Sequence, residues 1–165
     1  MATPTYTLID SVTLGSSAAS VTFSSLNTIA AGYRDVIIVV DASATAGSNN
    51  FLGKVNADTS NHSVVLMSGN GSSAASTSYA NQGAFFLNYS DTVTTGRYQA
   101  TLQFFDIHQT DKHKSMLYRL NNAANGVTSG AGRWGSTSAI TSIEVYVPAN
   151  AFASGSTFFI YGIEA

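Results

Sequence analysis

With 165 residues, 44% of them hydrophobic and only 10% charged, the chain has room for one domain with a sizeable core but carries far less charge than the usual ~25%. Its 23 Ser and 18 Thr supply the polarity instead, and the formal charge of -2 excludes a basic nucleic-acid or membrane-surface binder, which needs clustered Lys and Arg. Cysteine is absent, which excludes disulfides and thiolate metal sites and leads us to expect synthesis in a reducing compartment.

The opening residues, Met1 to Tyr6, show neither the basic nor the apolar segment of a signal peptide. From there, short β-type runs alternate with Gly, Ser, Asn and Asp clusters. Thr5 to Leu14 carries Tyr6, Leu8, Val12 and Leu14 at even positions, with Asp10 and Ser11 as a break or bulge. Ser20 to Leu26 sets Val21 and Phe23 against Thr22 and Ser24. Asp35 to Ala42 contains an unbroken aliphatic run, Val36 to Val40, which is too short to cross a membrane and predicts a strand buried on both faces. Further strands are predicted over Phe51 to Val55, His62 to Met67, Gly83 to Tyr89 and Arg97 to Ile107. Lys114 to Leu120 suits strand or helix. Ile140 to Val147 places Ile143, Val145 and Val147 opposite Ser142, Glu144 and Tyr146, and Ser156 to Ile163 closes the chain.

Two stretches are biased in composition, Ser68 to Ser78 (SGNGSSAASTS) and Asn121 to Gly135 (NNAANGVTSGAGRWG), and both read as exposed loops. Two Glu and three Lys are too few to decorate an amphipathic helix. About eight to ten strands at spacings of about 8 to 15 residues predict an all-β fold, a jelly-roll-like antiparallel β-sandwich. One domain over residues 1–165 is expected, with an extended N-terminal arm at residues 1–5.

Candidate chemistry is sparse. Asp106 to Lys114 (DIHQTDKHK) holds His108 and His113 beside Asp106 and Asp111, residue types that suit a divalent metal. Their spacing matches no metal motif, however, and a solvated turn between strands accounts for the segment as well. His62, between Asn61 and Ser63, reads as surface polar. No G-x-S-x-G elbow occurs, and Glu144 and Glu164 are the only glutamates, a poor supply for glycoside hydrolysis. The GAGRWG run starting at Gly130 lacks the ending of a phosphate-binding loop. Within it, Arg133 and Trp134 read either as a stacking platform and interface anchor or as a plug at the end of the sandwich. No enzyme activity, cofactor or metal is expected.

The ordered motifs resemble a group of small structural and fibre-end proteins of tailed bacteriophages, especially phages of marine bacteria and cyanobacteria. The resemblance rests on YTLIDSVTL from Tyr6, SVTFSSL from Ser20, YRDVIIVV from Tyr33 and SGNGSSAAS from Ser68. Its strongest parts are RWGSTSAITSI from Arg133 and NAFASGSTFFIYGI from Asn150. The Asp106 to Lys114 segment departs from the more neutral Ser/Asn stretch usual there. Such proteins are jelly-roll-like virion components without catalytic residues to carry over.

The resemblance implies a capsid decoration or cement protein on the outer surface of the head, made in the bacterial host cytoplasm and assembled as a homotrimer on the major capsid protein or other virion proteins. The first strand begins by residue 5, where a tail fibre would carry an attachment shaft, and this favours the head. The alternative is a tail or fibre-tip subunit that recognises a host surface glycan. The contact residues expected for partner or glycan are Arg133, Trp134, Tyr79, Tyr89, His108 and His113, with no nucleic acid or membrane partner.

Overall fold

The computed structural model describes residues 5–47, 50–88, 95–122 and 126–164. In chain order these form β1 (Tyr6–Thr13), β2 (Ser20–Phe23), a single helical turn α1 (Leu26–Ile29), β3 (Asp35–Ala42), β4 (Leu52–Val55), β5 (His62–Gly69) and β6 (Ala74–Gln82). They continue as β7 (Phe85–Phe86), β8 (Tyr98–Phe104), β9 (Lys114–Asn122), β10 (Val127–Trp134), β11 (Ile143–Tyr146) and β12 (Thr157–Ile163). One sheet has eight strands in the order β1-β12-β3-β8-β9-β10-β5-β6, and the other has four, β2-β11-β4-β7. Every pairing is antiparallel, so the fold is the expected antiparallel β-sandwich, with twelve strands among the described residues rather than eight to ten.

The core lies between the sheets and follows from side-chain alternation. The large sheet contributes Ile38, Val40, Leu102, Leu120, Phe158 and Ile160, and the small sheet Val21, Phe23, Val55, Ile143 and Val145, all at most 5% exposed. Phe51 bridges them, with its ring 5.6 Å from Tyr98 and 6.1 Å from Phe152. Burying each such side chain contributes about 1.5–3 kcal/mol.

β3 corrects an expectation. Val36, Ile38, Val40 and Ala42 enter the core, whereas Ile37, Val39 and Asp41 are only half-buried on the other side. The second sheet covers one face of the eight-stranded sheet and leaves the other open, so β3 is not buried on both faces.

Two segments read as loops are strands. In Ser68 to Ser78 the turn itself was legible: Asn70 Oδ1 accepts from the amides of Ser72 and Ser73, and Gly71 has φ +88°. The Ala/Ser run after it is β6, an edge strand paired among the described strands with β5 alone, and it lacks the bulky residues that mark a central strand. In Asn121 to Gly135, β10 hides behind its glycines. A Cβ on Gly130 would stand 2.5 Å from the Tyr118 hydroxyl, and one on Gly132 would stand 2.8 Å from the Met116 terminal methyl. Neighbouring side chains supply the bulk that β10 lacks, so the glycines belong to a strand and not a turn. Of the N-terminal arm expected at residues 1–5, residues 1–4 lie outside the described residues and Thr5 directly precedes β1.

Candidate functional site

The open face of the eight-stranded sheet carries the candidate site, because antiparallel register collects distant residues into rows across it. One row runs Leu8, Tyr161, Ile37, Gln103, Leu117, Ala131, Val65 and Ser78. The next runs Phe159, Val39, Thr101, Arg119, Ser129, Met67 and Ser76. A third includes Asp41, Gln99, Asn121 and Val127. These rows divide the face into two unlike halves.

The half on β1, β12, β3 and β8, reaching Arg119 on β9, holds a groove of about 590 Å³ lined by Tyr6, Asp41, Gln99, Thr101, Arg119 and Tyr161, over a floor of Ile37 and Val39. Tyr6 is 57% exposed. Phe159 and Tyr161, two residues apart on β12, present rings 6.4 Å apart and inclined at 29°. Asp41 is engaged by Arg97, whose Nη1 lies 2.8 Å from its Oδ1. Arg119 is exposed and has no carboxylate within ion-pair distance among the described residues. The groove therefore holds one neutralised pair and one guanidinium without an anion.

The half on β9, β10 and β5 is apolar. Val65, Met67, Leu117 and Val127 are 63%, 66%, 52% and 56% exposed, and Ala131 lies between Leu117 and Val65 in the register. A further groove of about 470 Å³ opens here between Met67, Val127 and Ala74. Clustered large apolar side chains in water mark an interaction surface.

The six residues singled out by sequence do not form one site. Arg133 is exposed on the open face at the end of β10. Trp134, the next residue, points the opposite way and is 3% exposed, with its Nε1–H donating to Asp58 Oδ2 at 2.7 Å. The indole is thus a core plug and offers no stacking surface. The hydrogen bond from Trp134 holds the Asp58 carboxyl down at about 2, assisted by Ser60 and Asn61. Tyr79 is half-buried, stacked on Phe86 with centroids 4.5 Å apart. Tyr89 lies outside the described residues.

His62 and His108 serve the framework. His108 Nε2 lies 2.9 Å from the carbonyl of Ala30, while His113 is exposed, and no metal-holding cluster of His, Asp and Glu occurs among the described residues. His62 is not surface polar, as expected, but fully buried. Its Nε2 accepts from the Val55 amide at 3.2 Å and its Nδ1 faces the carbonyl of Gln82 at 3.3 Å, so the neutral Nδ1–H tautomer satisfies both partners. Burial lowers its pKa.

The Asp106 to Lys114 segment is a turn between β8 and β9, as one reading had it, but it is not wholly solvated. Lys114 is 1% exposed, and its ammonium donates to the carbonyls of Gln109, Lys112 and Thr137. Asp106 pairs with Lys112 at 2.7 Å. Its amide donates to Asp35, a buried carboxylate that Arg34 holds at 2.8 Å. Burial alone would raise the Asp35 pKa, but the hydrogen bonds from Arg34 and the Asp106 amide outweigh it and keep it below the ordinary value.

Sequence reading missed Tyr6, Tyr161, Phe159 and Arg119 as a group. One signal was available: Ser156 to Ile163 carries aromatic residues at both odd and even positions, so one set must face away from the core.

No family model and no curated protein matches the chain. Among solved structures it is similar to the galectin LEC-6 of Caenorhabditis elegans, at 11% identity over 94% of this chain and 96% of that one, with a TM-score of 0.39. It is also similar to the marine PL-14 alginate lyase of Aplysia kurodai, at 8% identity over 81% and 69% of the two chains, with a TM-score of 0.37. A third is the alginate lyase Aly36B, as a mutant in complex with alginate trisaccharide, at 9% identity over 93% and 78%, with a TM-score of 0.34. Scores and identities this low say nothing about what the chain binds or does.

Proposed function

We propose that this protein is a non-enzymatic structural component of a bacteriophage particle, a decoration or cement protein that seats on the outer surface of the assembled head. The observation that carries the reading is the apolar half of the open sheet face, where Val65, Met67, Leu117 and Val127 stand more than half exposed. Covering the part of each that is still exposed is worth roughly 1–2 kcal/mol, about half the value of full burial, and the four together can drive docking onto a protein surface. Arg119 is the one charged residue in the two central rows, so the contact depends little on salt. The major capsid protein is the partner and a homotrimer the docked unit, with the shell stabilised because the protein binds only its assembled form. The motif resemblance described above supports the same assignment.

The test is addition of purified protein to heads that lack it. Cosedimentation at a copy number comparable to the capsid protein, with a raised shell melting temperature, is the expected result. A Val65→Asp/Met67→Asp variant, altered only at exposed positions, is expected to lose both effects. Failure of the unaltered protein to bind heads overturns the reading.

A second reading, a tail or fibre-tip subunit that recognises a host surface glycan, is favoured by one specific observation. The other half of the same face combines an exposed tyrosine, Tyr6, and a half-buried one, Tyr161, with amide and hydroxyl side chains in a groove.

A further inference from the structure

We infer that the groove bordered by Arg119 binds an anionic saccharide, with the guanidinium taking a carboxylate or sulfate oxygen pair and the tyrosines packing on sugar rings. The inference rests on the glycan reading of this groove and names its ligand class. Three observations converge. First, Arg119 projects from the middle of β9 on the open face, opposite Thr101 and Ser129 in the register, with no anion within ion-pair distance among the described residues. The only carboxylate lining the groove among the described residues, Asp41, is already taken by Arg97. A planar guanidinium presents a fork of donors matched to a two-oxygen anion. The charge complement is supplied by a ligand.

Second, the groove walls suit a sugar better than an acidic peptide. Tyr6 is exposed at one wall, and Tyr161 lies in the same groove with its ring beside that of Phe159. Amphipathic rings of this kind pack on the apolar face of a pyranose while the hydroxyl stays wet. Between them and Arg119, Gln99 and Thr101 offer both donors and acceptors to sugar hydroxyls. Third, the site rests on strands and not loops. β12, β3, β8 and β9 are consecutive in the sheet order, so backbone pairing sets the spacing of the side chains before a ligand arrives.

The experiment is calorimetric titration of the full chain with three probes of equal length: a uronic-acid oligosaccharide, a sulfated oligosaccharide and a neutral one. Binding of at least one anionic probe and weaker binding of the neutral one is expected, with affinity falling as sodium chloride is raised. Arg119→Gln is expected to weaken the anionic probe about tenfold and the neutral one much less, with Arg119→Lys intermediate. Tyr161→Ala is expected to weaken both. Whether carboxylate or sulfate is preferred follows from which anionic arm binds. Equal binding of neutral and anionic probes, or indifference to Arg119→Gln, overturns the assignment of an anionic ligand while leaving a glycan site. No binding of any probe overturns the glycan reading itself, as does tighter binding of an Asp/Glu-rich peptide.

Discussion

Gly130 of β10 faces Tyr118 of β9, and the Tyr118 hydroxyl, which donates to the Phe86 carbonyl at 3.1 Å, fills the space a side chain at position 130 needs. A Cβ there would also stand 2.7 Å from the Val65 backbone oxygen, which cannot yield without disturbing the β5–β10 pairing. Gly130→Ala is therefore expected to destabilise the fold by about 2 kcal/mol, at the level of core overpacking, as measured by urea unfolding. Gly132→Ala meets the mobile end of Met116 first and should cost less.

Lys114 makes a second prediction. Its ammonium is buried without a carboxylate and instead gathers three backbone carbonyls, tying the β8–β9 turn to the segment that follows β10. Lys114→Met keeps the length of the side chain but leaves those carbonyls without their shared donor. A loss of about 3 kcal/mol is expected in denaturant unfolding, with increased proteolysis between residues 107 and 113.

Stability should fall with acid in two steps. His62 has a pKa lowered from 6.5 by burial, so the unfolded chain takes up the proton more readily than the native one. Stability is therefore complete above about pH 6.5 and declines as pH falls towards the native value. His62→Gln, an uncharged residue with both a donor and an acceptor, is expected to abolish this upper step. Asp58, held at about 2 against an ordinary 3.8, contributes stability above the ordinary value that is lost as pH falls from about 4 to about 2. Trp134 is the only tryptophan and donates to Asp58, so its fluorescence reports both steps. Asp58→Asn is expected to shrink the lower step, leaving the part due to Asp35, whose pKa is also held below the ordinary value, and to leave the upper step unchanged.

Tyr98 is 1% exposed, and its hydroxyl has no hydrogen-bond partner among the described residues. Burial raises its pKa, so it stays protonated across the accessible range. Removing an unpaired buried hydroxyl while keeping the ring against Phe51 relieves a desolvation penalty. Tyr98→Phe is expected to stabilise the protein by about 1 kcal/mol, read as a raised Tm in differential scanning calorimetry.

Much of the sandwich was legible because strand alternation is local. Ile143, Val145 and Val147 are buried on one side of β11 and its continuation, as their spacing required, and Val21 and Phe23 are buried on β2 in the same way. The low charge and scarcity of helix formers excluded the other fold classes. What composition obscured was β6 and β10, whose small residues imitate loops. There the bulk that makes a strand pack comes from neighbours such as Tyr118 and Met116, and those are non-local.

The same division governs the candidate site. Sequence by itself determined that successive side chains of each strand point to opposite faces, since that follows from a period of two residues. It did not determine which side the second sheet would cover, nor which strands would stand next to one another. Tyr6 and Tyr161 lie at opposite ends of the chain yet share a groove, because β1 pairs with β12. Arg119 joins them because β8 lies between β3 and β9. Trp134 and Arg133, neighbours in sequence, part to opposite faces by the same alternation. Cross-strand neighbours are set by the order of strands in the sheet, and the tertiary structure alone decided that order.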